Sequence, residues 1–397
     1  MSSDARAVTR LHTVDDAERL ARRRLPRPVF DYIAGGAGAE VTLASNIADL
    51  RREVFRPRMG DTIGIEPRDT RRSIFGSDSP FPFAIGPVGF TRSMHPGGDV
   101  AGAIAAGKLG IPFCLSSMSG HTIEEVAAAA TAPWWYQLYP LGGRQGGEQM
   151  IARAQAAGAS TLVVTMDTVV PGNRERDLRY GAALPVRVNR STMTSMARYV
   201  ITKPTWFTHA ARDRFRFPLA NTRGMTRDGR TLREEEALMY WIVEPPTWND
   251  LRWMREQWKG NLVVKGLVSA DDARRALDAG VDGIIVSNHG GRQLDRASTT
   301  LELLPDVPSM AELGFPDLTN DSWQGFFVGK RTPPHVVALL NNAARKTLAD
   351  AKVVERLKIG AASVIDTETP EKCTAFVKEQ TAFWSKLVKQ VGLEGSL

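Results

Sequence analysis

Short apolar runs alternate with amphipathic stretches along most of this chain. The runs are PFAIGPV (82–88), IPFCLSS (111–117), WWYQLY (134–139), TLVVTMD (161–167), NLVVKG (261–266) and GIIVSN (283–288). Between them lie Ala-rich segments such as HTIEEVAAAA and SADDARRALDAG, which read as amphipathic helices. Continuous apolar runs of this length suit strands buried on both faces, and their alternation with helices predicts parallel strands joined by crossovers. Six βα units can be read in this way. The fold class is therefore α/β, and a (β/α)8 barrel is the expected architecture. Each candidate strand ends in glycine or polar residues, where such a barrel gathers its chemistry.

Two features break the spacing. Residues 185–247 form a long insertion in which Arg and Lys are mixed with Trp206, Phe207, Phe215 and Phe217. It reads either as a solvated loop or as an interfacial segment laying aromatics and cations on an anionic membrane. After Leu304 come two further β-then-helix patterns: SWQGFFV (322–328) before PPHVVALLNNAARKTL, and AASVID (361–366) before TPEKCTAFVKEQTAFW. In number they would complete eight units.

Composition narrows the class. The 397 residues suffice for one large α/β domain or two ordinary ones. A balance of 51 Lys+Arg against 44 Asp+Glu is too diffuse to suggest nucleic-acid binding. Two cysteines, Cys114 and Cys373, supply neither a disulfide framework nor a Cys-rich metal site, and a reducing compartment fits. The charged N-terminus lacks the apolar core of a signal peptide, and no run is long enough to span a membrane. The expected location is cytoplasmic, at most peripheral on the inner face of the membrane.

The stretch VSNHGGRQLD (286–295) follows the sixth apolar run. Taken alone, a histidine at a strand end is more often structural than catalytic, and Gly-Gly is usually a turn. It does not stand alone. FDYIAGGAGAE, PFAIGPVGF with HPGGD, LSSMSGHTIEEVA, YQLY, VVTMDT with GNRERDLR, LVVKGL and SNHGGRQLD occur in that order. Together they closely resemble the FMN-dependent 2-hydroxy acid dehydrogenase/oxidase family over about residues 10–305.

The resemblance implies a TIM barrel with FMN at the C-terminal ends of its strands. It also implies oxidation of a small (S)-2-hydroxy acid, lactate- or mandelate-like, to the 2-oxo acid, with electrons passing to quinone or another acceptor. His289 matches the family base and Asp167 the carboxylate that holds it. Arg174 and Arg292 match the clamp on the substrate carboxylate, where guanidinium offers bidentate geometry. Tyr32 and Tyr139 match the substrate-binding phenols. Lys265 matches the cation beside the flavin, Ser116, Gln137 and Thr165 match side chains on its ring, and the backbone of Pro87, Val88 and Gly89 packs against it. Glycine at 89, where the oxidases tend to carry alanine, leans toward a dehydrogenase, as does the insertion, which is similar to a membrane-associating segment. A homo-oligomer is expected on the same grounds.

Beyond residue 305 the pattern departs from the family. The Asp-Gly-Gly and Gly-Arg strand ends that cradle the FMN phosphate are absent. Residues 306–397 instead resemble the C-terminal part of a tripartite tricarboxylate transporter substrate-binding protein, and the two resemblances meet near LLPDVP. Gly329-Lys330-Arg331 offers cations after the seventh pattern, whereas Asp366 and Glu368 would repel phosphate. The domain reading is a flavoenzyme-like barrel over 1–305 and an atypical α/β segment over 306–397. A catalytically silent hybrid is the competing reading. A carboxylate-binding protein of the transporter type is disfavoured, because only its C-terminal part is represented.

Overall fold

The computed structural model describes residues 11–54, 69–178, 199–215, 217–304, 333–350, 352–353, 369, 371–372 and 374–378. In chain order the elements are α1 (Val14–Arg24), α2 (Arg27–Ala34), α3 (Val41–Arg52), β1 (Arg72–Ile74), β2 (Ser77–Ser79), α4 (Gly98–Leu109), β3 (Phe113–Ser116), α5 (Ile123–Ala129), β4 (Trp134–Leu138), α6 (Gly143–Ala156) and β5 (Thr161–Thr165). They continue with α7 (Glu175–Leu178), α8 (Pro204–Arg212), β6 (Thr226–Arg227), β7 (Arg230–Thr231), α9 (Glu234–Val243), α10 (Trp248–Gln257), β8 (Asn261–Leu267), α11 (Ala270–Asp278), β9 (Gly283–Val286), α12 (Thr300–Leu303) and α13 (Pro334–Leu348). The chain divides into two compact units, Met1–Asp317 and Leu318–Leu397.

In the first unit β3, β4, β5, β8 and β9 pair in that order, every neighbour parallel. Five of the six expected runs are therefore strands of one sheet. The first, PFAIGPV, is reduced to a single parallel bridge between Ile85 and Phe113. Sequence neighbours are also spatial neighbours, the order of a barrel wall rather than of a doubly wound sheet. Among the described residues the wall has five strands and that bridge, and the arc is not closed. The seventh and eighth expected strands, with Gly329-Lys330-Arg331, Asp366 and Glu368, lie outside the described residues.

Alternation along the strands divides the core. Leu115, Tyr136, Leu138, Leu162, Val164, Leu262 and Val264 face the helices and belong to the main cluster, which Ala103 and Ala106 of α4 and Met150 of α6 complete. Cys114, Trp135, Val163 and Val263 face the other way and pack with Phe75, which the β1–β2 hairpin presents. Two positions further along that second face are Ser116, Gln137, Thr165 and Lys265, so period-two geometry delivers four candidate cofactor residues to one surface. Burial pushes the Cys114 thiol well above its usual range, which leaves it inert packing. The helices start where the sequence supplies caps: Thr122 with Glu125 before α5 and Thr247 with Asp250 before α10 form reciprocal capping boxes.

The insertion is partly structured. Trp206 and Ala210 of α8 are buried with Leu25 and Phe30 in a second cluster, against which Phe207, Phe215 and Phe217 pack half-buried. The Trp206 indole N–H donates to Ser93 O at 2.8 Å. These four aromatics are committed to internal packing, which corrects the expectation of a structureless loop here and of an aromatic face laid on a membrane. Residues 179–198 of the segment lie outside the described residues. No helix among the described residues is long and apolar enough to cross a membrane.

In the second unit α13 realises the PPHVVALLNNAARKTL pattern, with Pro334 in its first turn, where a missing N–H is harmless. Residues 374–378 are also helical.

Leu162 is fully buried in the central strand of the sheet. Leu162→Ala should cost about 2–5 kcal/mol, seen as a lowered denaturation midpoint in urea. A midpoint equal to that of the wild type would contradict the central place given to β5.

Candidate active site

The C-terminal ends of β5, β8 and β9 bring together most of the residues that the sequence singles out. His289 Nδ1 lies 2.8 Å from Asp167 Oδ1, and its Nε2 lies 3.5 Å from the Tyr139 hydroxyl. Two backbone devices produce this arrangement. The pairing of β8 with β9 is irregular between Lys265 and Leu267, where Gly266 takes φ +105°. A Cβ at 266 would stand 2.6 Å from Asp167 Cγ, so the bulge and the bare glycine together let the carboxylate reach the histidine. His289 itself is left-handed at φ 58°, and Gly290 and Gly291 after it are also left-handed. A Cβ at Gly291 would stand 2.6 Å from Leu43 N, so the turn can close onto the start of α3 only without a side chain there.

The rest of VSNHGGRQLD fastens this turn. The Asn288 amide exchanges hydrogen bonds with that of Asn46 and donates to Ser298 O at 3.0 Å. Asp295 accepts from the backbone N–H groups of Ala39 and Thr42, each at 2.9 Å, and these bonds, Thr42 first, hold its carboxyl below the usual range. Ser287 Oγ accepts from Lys265 Nζ at 2.9 Å and from His289 N at 3.1 Å. Ser287, Asn288 and Asp295 thus do structural work that the sequence reading left without a role, although all three stand inside the motif it quoted.

The arginines are less symmetrical than a paired clamp suggests. Arg292 donates through Nη1 to Ile33 O and Gly35 O and through Nη2 to Tyr32 O, at 2.6–2.9 Å. It caps the C-terminal carbonyls of α2, a favourable place for a cation. Burial lowers its pKa, as does the neighbouring Arg174. Arg174 Nη1 is buried without a hydrogen-bond partner. The two guanidinium carbons lie 5.1 Å (Arg174) and 5.4 Å (Arg292) from the centre of the Tyr32 ring, so both cations adjoin one aromatic face or edge. Tyr139 is buried and packs on Trp241 of α9 at 4.9 Å between centroids. Burial, aided by the charge on Asp167, raises the Tyr139 phenol so that it stays a neutral donor. Trp241 comes from the insertion, where no sequence signal pointed to it.

The strand ends also fit a flavin ring. Ser116 Oγ donates to Gln137 Oε1 at 2.8 Å, while Gln137 Nε2 and Thr165 Oγ1 are buried with no partner. Buried polar atoms are rarely left unpaired, so Gln137 Nε2 in particular has a donor to offer a polar ligand at these strand ends. Burial lowers the pKa of the Lys265 ammonium against the opposing charge of Asp167, so a further negative charge beside it would favour its protonated form. Gly89 abuts Met118, whose Cβ would be 2.9 Å from a Cβ at 89, and Val88 is exposed beside Pro87. For the phosphate end, the described residues supply no comparable set.

A sequence model described as FMN-dependent dehydrogenase matches residues 21–316. The chain belongs to the FMN-dependent dehydrogenase family. Among its relatives, an L-lactate dehydrogenase of Caulobacter sp. (strain K31) is 40% identical over 301 residues, 75% of this chain and 77% of the relative. A crystal structure of the monotopic membrane protein (S)-mandelate dehydrogenase superposes with a TM-score of 0.68 at 34% identity, over 77% of this chain and 79% of that one. A mandelate oxidase structure superposes at 0.58 with 33% identity, over 76% and 75%. A second model, described as tripartite tricarboxylate transporter family receptor, matches residues 293–393 and overlaps the first at 293–316. The family match thus runs from within α1 through the sheet and the histidine turn, and the second match begins inside that turn at residue 293.

Gly266→Ala tests the bulge. Left-handed strain of about 1–2 kcal/mol and the contact with Asp167 should lower the melting temperature and displace the carboxylate from His289. A variant as stable and active as the wild type would show that the bulge does not position Asp167.

Proposed function

We propose that this chain oxidises a small (S)-2-hydroxy acid, lactate- or mandelate-like, to the 2-oxo acid. The observation that carries the reading is the His289–Asp167 contact of 2.8 Å, made beside a buried tyrosine and an arginine whose Nη1 lacks a partner. With Nδ1–H donated to Asp167, the imidazole presents the Nε2 lone pair and takes the proton of the substrate hydroxyl there. Asp167 then stabilises the imidazolium. Tyr139 donates to an oxygen of the substrate, Tyr32 serves the same end, and Arg174, whose Nη1 lacks a partner, holds its carboxylate, while Arg292, its Nη atoms bound to α2 carbonyls, adds positive charge beside it. Bound FMN supplies the two-electron acceptor for the C2–H bond. Lys265, Ser116, Gln137 and Thr165 would hold its ring, with the backbone of Pro87, Val88 and Gly89 available to pack against it.

Residues 1–305 carry this site, and 306–397 form an atypical segment in place of the last two barrel units. Electrons leave to quinone or another acceptor, and the chain sits peripherally on the cytoplasmic face of the membrane through 185–247, as a homo-oligomer. The monotopic mandelate dehydrogenase supports the membrane contact, as do the exposed Val200 and Ile201 in the same segment. Replacing the phosphate-cradling strand ends removes several charge-assisted hydrogen bonds, each worth about 1.5–3 kcal/mol, so FMN is held weakly.

Protein saturated with FMN and kept under anaerobic conditions should show a flavin band that (S)-lactate or (S)-mandelate bleaches, and desalting should strip much of the flavin. A folded, flavin-loaded protein that neither acid bleaches would defeat the reading and favour a catalytically silent hybrid. Asp167→Asn should slow flavin reduction by about 10²–10⁴-fold in stopped-flow absorbance, with little change in flavin content. An unaltered rate would remove Asp167 from the mechanism.

A further inference from the structure

Arg292 is engaged by three backbone carbonyls, and Arg176 by Glu40 and, at 3.7 Å, Asp31. Arg174 is not held in this way. Its side-chain partner is Asp177, one turn further on in α7, with Nη1 3.8 Å from Oδ2. That is close enough for charge attraction and too far for a hydrogen bond, and Nη1 accordingly lacks one. Both side chains are largely buried, Asp177 at 12% exposure and Arg174 at 21%. The charged groups facing Asp177 are Arg174 from the loop before α7, Arg176 on α7, Arg292 from the turn after β9, and Asp31 on α2. Among the described residues three cations face this carboxylate, yet burial raises its pKa above the ordinary aspartate value.

We infer that Asp177 is a resident counter-charge, which Arg174 exchanges for the substrate carboxylate. In the empty site it holds the guanidinium beside Tyr32. In the loaded site it offsets part of the positive charge of the arginines, so that the anionic 2-oxo acid can leave. Asp177 is a positioning residue, acting through Arg174. The inference rests on Arg174 being the carboxylate clamp of the proposed function.

The sign of its pH dependence follows. A bound carboxylate adds negative charge beside Asp177 and draws Arg174 away, and both effects favour the protonated acid. Binding therefore takes up protons, and affinity rises as pH falls toward the Asp177 titration. His289 faces the same ligand, so the contribution of Asp177 has to be isolated by substitution.

The experiment is calorimetric titration of the FMN-loaded protein with oxalate, a small carboxylate shaped like the 2-hydroxy acid skeleton. Asp177→Asn should bind oxalate roughly three- to tenfold more tightly at neutral pH, and in titrations carried down through the carboxylate range it should take up fewer protons than the wild type. His289→Gln should still take up protons on binding, through Asp177. Weaker binding by Asp177→Asn, or unchanged affinity and uptake, would assign the residue a purely structural role and overturn the inference. Should that variant not fold, absence of proton uptake in His289→Gln overturns it equally. Wild-type protein that does not bind oxalate, or whose affinity Arg174→Lys leaves untouched, would defeat the clamp and this inference together. A change confined to the Asp177 variants leaves the clamp standing.

Discussion

The contact between His289 and Asp167 is the constraint to which the site is subordinate. It joins two strand ends that are not neighbours in the sheet, since β8 lies between β5 and β9. For the carboxylate to reach across, β8 must step out of register at Lys265–Leu267 and carry no side chain at 266. For the imidazole to meet it, His289 must adopt a left-handed conformation that costs a residue of its type on the order of 1 kcal/mol. The bonds from Ser287, Asn288 and Asp295 offset that cost. The strain at His289 thus sits in one ten-residue turn, while its support is drawn from Ala39, Thr42 and Asn46 at the other end of the barrel segment.

Electrostatics explains why the surroundings are so heavily tied. Three arginines approach the Tyr32 end of the site, and each finds a different form of neutralisation: helix-end carbonyls for Arg292, two carboxylates for Arg176, a loosely placed aspartate for Arg174. An anionic substrate entering here meets one guanidinium already satisfied and one not. Of the three, only the unpartnered Nη1 of Arg174 leaves a donor free for a further bond.

The wall of the barrel was legible in the sequence because its strands are short continuous apolar runs, and five of six became strands. PFAIGPV was the exception: with proline at either end and Gly86 within, it retains one bridge at Ile85. The candidate residues could be named from motifs since period-two alternation fixes which strand positions share a face. What the motifs could not disclose was partnership. That Arg292 spends its donors on α2, or that Trp241 from the insertion packs on Tyr139, depends on contacts between segments far apart in sequence. The place of the aromatics of 206–217 stayed open in the sequence because a run of Trp and Phe among cations looks the same whether its partner is a bilayer or another helix of the same chain.

The bonds from Asp295 to Thr42 and from Arg292 to Gly35 span 253 and 257 residues. During vectorial synthesis α2 and α3 are made early, yet their capping carboxylate and the cation on their carbonyls emerge only after most of the wall has left the ribosome. Until then Phe30 and Leu25 have no settled place, because α8 is also made late. The amino-terminal helices of this protein therefore gain these tertiary partners only after β9 has been made, and until then their apolar side chains stay open to chaperones and proteases.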